Sequence, residues 1–422
     1  MSHRNLAPTP PMGWNSYDSY GAAINEQEFR ANVDVLADKL LTAGYRYAVI
    51  DGGWSYDEPE ARDILAHPEA RPHMDEHGRL VPSPRRFPSA AGEAGFGPLA
   101  DWVHSRGLKF GIHVMRGIPR LAVQRGLVAA DAAETGNTCI WDHTMYGLDH
   151  RRPSARMYYD SILALYARWG VDFIKADDMC CPYYRDEIDA FSAAVWRCGR
   201  PILLSLSPGV WVDDALRAHA HVGQASEMWR LSGDVWDSWA SVRELFPLCA
   251  VWSAAAGPNA WPDADMLPYG RLSLKSPLSP GGRPCRLTRD EVRTHFSLLC
   301  MAKSPLMMGG DLPSLDEFTL SLLTNPEVLA VHRHSRDIRC PWRKLVGLVA
   351  WTARMPDGDA VLAMFNIGEE PREHALHLLE VYLPGRWAVR DLWARQDLPP
   401  VDGVLSMKLA PHACAMYRLK RN

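Results

Sequence analysis

The segment Phe173-Ile174-Lys175-Ala176-Asp177-Asp178 places a lysine and two carboxylates directly behind an apolar run. Such a run reads as a buried strand whose C-terminal end opens into a polar site. Residues two apart on a strand share a face, so Lys175 and Asp177 point the same way. An ammonium beside Asp177 holds that carboxylate ionised, as a nucleophile requires. Further along, Trp229-Arg230-Leu231-Ser232-Gly233-Asp234 supplies another carboxylate, with Arg230 placed to orient it. Two carboxylates at two strand ends can divide the cleavage of a glycosidic bond. One meets the oxocarbenium-like centre, which suits Asp177. The other protonates the leaving oxygen, which suits Asp234. For Asp178 a helix N-cap is the plainer expectation.

Other polar clusters say less. Asp263-Ala264-Asp265-Met266-Leu267 is a loop whose carboxylates could bind hydroxyls, cap a helix or hold a cation. His219 with His221, and His332 with His334, have the spacing of metal ligands. Their flanks suit solvated loops or helix ends, so no metal and no other cofactor is expected.

The elements that must position these residues alternate. Apolar runs at 45–50, 108–112, 171–174 and 202–206 end in Asp51, His113, Lys175 and Ser207. Helical patterns closed by glycine precede them, as at 33–44 and 99–107. This alternation indicates a parallel sheet. Polar residues at the strand C-termini favour a (β/α)8 TIM barrel with its site on that face. No Gly-rich dinucleotide fingerprint and no phosphate-cradling loop appears. Regions 55–97 and 119–153 read as long irregular loops that wall the pocket, the second holding Cys139, Trp141 and Asp142. After residue 334 short strands separated by turn residues predict a C-terminal antiparallel β-sandwich. The division expected is a catalytic barrel over 1–333 and a β domain over 334–422.

Bulk properties agree with that plan. The chain has 422 residues, 47 % hydrophobic, ample for a large core. A formal net charge of −4 invites neither nucleic acid nor an anionic membrane surface. Sixteen tryptophans suit the apolar faces of sugars, although most should serve the core. Nine cysteines at irregular spacing form neither a disulfide framework nor a zinc motif. With no apolar leader and no membrane-length run, a cytoplasmic protein with reduced thiols is the expectation. A homo-oligomer is compatible with all of this.

In sequence order, the motifs resemble glycoside hydrolase family 27, the α-galactosidases and α-N-acetylgalactosaminidases. The resemblance runs nearly end to end. It includes Pro10-Pro11-Met12-Gly13-Trp14-Asn15-Ser16, Ile50-Asp51 with Trp54, and Gly107-Leu108-Lys109-Phe110-Gly111-Ile112. It continues through Trp169-Gly170-Val171-Asp172-Phe173-Ile174-Lys175, Trp229-Arg230 with Asp234, Asp263 with Asp265, and Ser304-Pro305-Leu306-Met307. The resemblance implies a retaining exo-α-glycosidase with Asp177 as nucleophile and Asp234 as acid/base. It implies that Trp14 stacks on the sugar and that Asp51, Lys175, Arg230 and Asp265 hold hydroxyls.

The departures bear on specificity. Where the family commonly has a second aspartate gripping the 4- and 6-hydroxyl region of galactose, this chain has Gly52. Where a tyrosine commonly ends the third strand, it has His113. Ser207 falls in the segment that reads the C2 substituent. His113, with Cys139, Trp141 and Asp142, is expected to grip the part of the substrate that Gly52, lacking a side chain, cannot hold. The stretch Gly111-Ile112-His113-Val114-Met115-Arg116-Gly117 resembles a bacterial branch of the family. The substrate expected is a terminal α-galactosyl-type residue. An α-N-acetylgalactosaminide, a β-L-arabinopyranoside or an α-glucoside is the alternative, and a sugar-binding protein without catalysis is the alternative of another class.

Overall fold

The computed structural model describes residues 5–59, 71–209, 212–276, 278–344 and 347–421. Eight parallel strands form one sheet: β1 Met12–Asn15, β2 Tyr47–Ile50, β3 Lys109–Met115, β4 Phe173–Asp177, β5 Leu203–Leu206, β6 Met228–Arg230, β7 Trp261–Asp263 and β8 Leu306–Met308. Neighbours in space are neighbours in that order, and β8 pairs with β1. Between β7 and β8 the ring closes through the segment after β7, where Leu267 bridges to Met308 in parallel. This is the eight-stranded barrel that the βα alternation predicts. Its helices include α1 Glu26–Val35, α2 Gly97–Ser105, α3 Pro153–Arg168, α4 Arg185–Arg197, α5 Val212–Ala225, α6 Trp239–Trp252, α7 Arg289–Ala302 and α8 Pro326–His334.

Strand alternation sorts the apolar residues into two cores. Tyr47, Val49, Phe173, Leu203, Met228, Trp261 and Met307 fill the barrel interior. The residues between them, such as Ala48, Ile50, Ile174 and Leu204, face the helix layer. The same alternation carries Asp51, His113, Lys175, Asp177, Ser207 and Arg230 inward at the C-terminal end of the barrel. Register then makes them neighbours: His113 pairs with Lys175, and Lys175 with Ser205. Asp263 pairs with Arg230.

The two long loops are more structured than their composition suggests. Met74 and Leu80 form an antiparallel bridge. Within 119–153, the segment Met145–Leu148 pairs antiparallel with Ile118–Pro119 and with Ala133–Glu134. Gly117 takes a φ of +92° there, and a Cβ would meet the Tyr146 carbonyl oxygen.

The C-terminal part holds a six-stranded antiparallel sheet of β9 Arg336–Lys344, β10 Leu348–Arg354, β11 Ala360–Asn366, β13 Arg386–Asp391, β14 Gln396–Asp402 and β16 Cys414–Arg421. A second sheet pairs β12 Arg372–His377 with β15 Val404–Leu409. Leu362, Met364, Leu376, Trp387 and Leu405 pack between the two. The module docks on α6 and α7. Phe246 meets Phe365 at 5.2 Å, and Trp239 stacks on His412 at 4.0 Å.

Candidate active site

Asp177 ends β4 with its side chain about one-fifth exposed in a cavity at the barrel mouth. Its Oδ1 accepts hydrogen bonds from Ser207 Oγ at 2.8 Å and from the Asp178 amide at 2.9 Å. Its Oδ2 lies 3.1 Å from His113 Nε2. Burial pushes this carboxyl up, but His113, Lys175 and the Asp178 amide outweigh it and hold the group well below the usual range. Asp177 is therefore an ionised carboxylate held by three donors.

Lys175 donates to Asp51 Oδ2 at 2.9 Å, and Asn15 Nδ2 donates to the same oxygen at 2.8 Å. Burial alone would lower the lysine, yet Asp51 and Asp177 raise it above its ordinary value. Asp51 is correspondingly lowered, because Lys175 and His113 outweigh its burial. Together these residues form a buried charge cluster rather than an isolated pair.

Arg230 joins the opposite wall. Its Nη1 is 2.7 Å from Asp265 Oδ1, and its Nη2 is 3.3 Å from Asp234 Oδ1. The Asp234 side chain is 64 % exposed, so it stands at the mouth where Asp177 stands inside. Asp265 takes a left-handed φ of +74° and accepts the Val235 amide at 2.7 Å. That bond ties the loop after β7 to the segment carrying Asp234. Asp263 is buried behind them, pushed up to about 7 by burial against the opposing pull of Arg230.

The cavity is lined by Asp51, His113, Trp141, Asp142, Lys175, Asp177, Asp234 and Asp265. Ser207 and Arg230 line an adjoining cavity that shares Trp141, Lys175, Asp177 and Asp234. Ten of the expected residues are thus brought to one place.

Three others are not. Trp14 is fully buried, donates its indole N–H to Gly310 O and packs on Phe29 of α1. Strand alternation turns Asn15 inward and Trp14 outward, so no face of this indole is open to a sugar. Gly52 lines a separate small cavity with His113, Met115 and Asp142. Cys139 is buried close to Asp178, and burial pushes the thiol up to about 12. Asp178 caps no helix. It takes a φ of +60° and pairs with Arg116 at 2.7 Å, and burial raises its carboxyl to about 6.

The histidine pairs serve packing. His221 contacts Asp189 and the Tyr183 hydroxyl, His219 stacks on Trp252, and buried His332 bonds Ser304 O. Sequence reasoning missed Tyr17, Asp18, Asn15 and Trp236. Asp18 is 3 % exposed, lines the cavity, and has an Oδ2 without a hydrogen-bond partner. Burial, reinforced by Asp265, raises it well above the usual range.

A barrel whose strand ends hold a recessed, ionised carboxylate, a second carboxylate at the mouth and a ring of charged side chains has the arrangement of a glycoside hydrolase. The chain belongs to the α-galactosidase family, glycoside hydrolase family 27. It matches the α-galactosidase A family over residues 9–149 and 140–334, and the α-galactosidase C-terminal β-sandwich domain over 347–419. It is an α-galactosidase-type, retaining glycoside hydrolase, and its substrate is a carbohydrate. An α-galactosidase of Coffea arabica is 32 % identical over 98 % of this chain and 94 % of its own length. The α-galactosidase 2 of Arabidopsis thaliana is 31 % identical over 100 % of this chain and 92 % of its own. Among solved structures, the family 27 β-L-arabinopyranosidase of Geobacillus stearothermophilus is 42 % identical, with a TM-score of 0.93. That alignment covers 100 % of this chain and 99 % of the other. No helix among the described residues is long and apolar enough to cross a membrane.

Proposed function

We propose that Asp177 is the nucleophile and Asp234 the general acid/base of this hydrolase, acting on terminal galacto-configured pyranosides. The carrying observation is the contrast between the two carboxylates. Asp177 is recessed, with its side chain about one-fifth exposed, and it is ionised and held by three donors, as covalent attack on an anomeric carbon requires. Asp234 is exposed at the mouth beside a single guanidinium, where a leaving oxygen can reach it. Asp51, Lys175, Arg230 and Asp265 then bind sugar hydroxyls around the ring. The barrel is taken as 1–333 and the β domain as 334–422.

The preferred sugar in this reading is β-L-arabinopyranose. It has the ring configuration of α-D-galactopyranose without the C6 hydroxymethyl group. Gly52 stands where the resemblance places a carboxylate that grips the 4- and 6-hydroxyl region of galactose, and a glycine offers no side chain for that task. The arabinopyranosidase of Geobacillus stearothermophilus, similar over the whole chain, supports the choice. Ser207, the candidate reader of an N-acetyl group, is instead engaged with Asp177. A cytoplasmic setting and assembly into a homo-oligomer belong to the same reading. The test is kcat/KM on aryl β-L-arabinopyranoside against aryl α-D-galactopyranoside. An arabinoside preference of about tenfold or more is expected. A galactoside preference of that size would overturn the sugar assignment.

A further inference from the structure

Asp178 follows the last residue of β4 and takes a left-handed φ of +60°. Aspartate tolerates that region better than most residues, though only a glycine enters it freely. In this conformation its amide donates to Asp177 Oδ1 at 2.9 Å. What holds it there is Arg116, just after β3. The Arg116 Nε donates to the Asp178 carbonyl at 3.0 Å and to its Oδ2 at 2.9 Å, and Nη2 lies 2.7 Å from the same carboxylate oxygen. The Arg116 amide donates to the Asp177 carbonyl at 3.0 Å, so one residue grips both aspartates.

Arg116 is itself fixed. Its guanidinium lies over the Tyr184 ring at 3.9 Å. The next amide, Gly117, donates to the Tyr159 hydroxyl at 2.9 Å. That hydroxyl donates to Glu187 of α4, which His150 contacts at 2.5 Å. Arg116 and Asp178 are each 2 % exposed. Neither lines the catalytic cavity or the space adjoining it, so neither reaches a substrate there. A buried ion pair adds little net stability, since apolar residues of similar volume often serve as well. What this pair supplies is a single backbone conformation beside Asp177.

We propose that Arg116 and Asp178 are positioning residues: their pair locks the turn after β4 so that the Asp178 amide stays aimed at Asp177 Oδ1. The proposal rests on the reading of Asp177 as nucleophile. Two donors on Oδ1, this amide and Ser207 Oγ, fix the plane of the carboxylate. Loosening one lets the carboxylate turn and weakens its ionised form.

Arg116→Met combined with Asp178→Ala removes one charge of each sign and strands neither, so the barrel should still fold. The other groups that face Asp177 stay in place: His113 of β3, Lys175 of β4, Arg230 of β6 and the buried Cys180 thiol. Losing the aimed amide should lower kcat about tenfold or more, with KM within about twofold, and move the acid limb of kcat/KM to higher pH. Asp178→Asn tolerates the left-handed turn and still accepts from Arg116, so it should keep most of the activity. Arg116→Lys keeps the charge but not the fork, and should move kcat and the acid limb the same way by less. A double variant that loses only thermal stability, with kcat and acid limb unchanged, would overturn the proposal and leave the nucleophile standing. Substantial turnover in Asp177→Ala would overturn the nucleophile reading and this proposal with it.

Discussion

His113 Nε2 lies 3.1 Å from Asp177 Oδ2, across the register that pairs β3 with β4. The histidine expected to touch substrate where Gly52 offers no carboxylate therefore also grips Asp177, the proposed nucleophile. Trp54 fixes it by donating its indole N–H to the His113 carbonyl at 2.7 Å.

Removing that donor should weaken the ionised form of Asp177. His113→Leu is expected to raise the carboxyl and move the acid limb of the kcat/KM profile to higher pH. A charge-assisted hydrogen bond is worth about 1.5–3 kcal/mol, or roughly 10- to 100-fold in rate. His113→Gln, which can still donate, should lose less. A pH profile unchanged in His113→Leu would show that Ser207 and the Asp178 amide suffice.

Asp234→Ala should distinguish substrates by leaving group. Glycosides with poor leaving groups should lose roughly 10²- to 10⁴-fold, the usual worth of general acid catalysis, and activated aryl glycosides far less. Steady-state kinetics on both kinds would check this. Equal losses would remove Asp234 from the acid/base role.

Gly52→Asp should restore a carboxylate where family members grip galactose. The expected result is a gain for aryl α-D-galactopyranoside relative to the arabinopyranoside, of about 1.5–3 kcal/mol for one charged hydrogen bond. The ratio of the two kcat/KM values is the readout. An unchanged ratio would place sugar selection elsewhere in the cavity.

Asp263 makes a stability prediction. Burial raises its folded-state carboxyl to about 7, above the unfolded value near 4. The folded protein thus holds a proton that the unfolded chain releases, so this group's contribution falls as pH rises from about 4 to about 7. Asp263→Asn keeps the acceptor for the Asp265 amide at 3.0 Å and removes the titration. Its Tm relative to wild type should be higher at pH 8 than at pH 5. A difference independent of pH would contradict the assignment.

What the sequence made legible was what period two can carry. Lys175 and Asp177 share a face because they are two apart, and their place after an apolar run marks a strand end. Asp51 and Arg230 followed from the same pattern. That pattern also held the correction for Trp14: if its neighbour Asn15 faces Asp51, Trp14 must face the helices. Asp18, in the one-turn helix Tyr17–Tyr20 after β1, reaches the cavity only once the barrel closes and Gly309 packs against it. The pairing of Arg116 with Asp178 depends on neighbouring strand ends, which no local spacing reveals. The buried turn that sends Cys139 inward to Asp178 while Trp141 faces the cavity is equally invisible before the loop folds.

In the proposed mechanism Asp177 forms the covalent bond to the sugar. The most direct test is Asp177→Ala assayed on an activated aryl α-D-galactopyranoside or β-L-arabinopyranoside with and without azide. Turnover should fall by several orders of magnitude without azide, with the fold intact, and recover in part with azide. The recovered product should be a glycosyl azide of inverted anomeric configuration, because azide occupies the face the carboxylate has left. Near-wild-type turnover in Asp177→Ala would remove Asp177 from the nucleophile role.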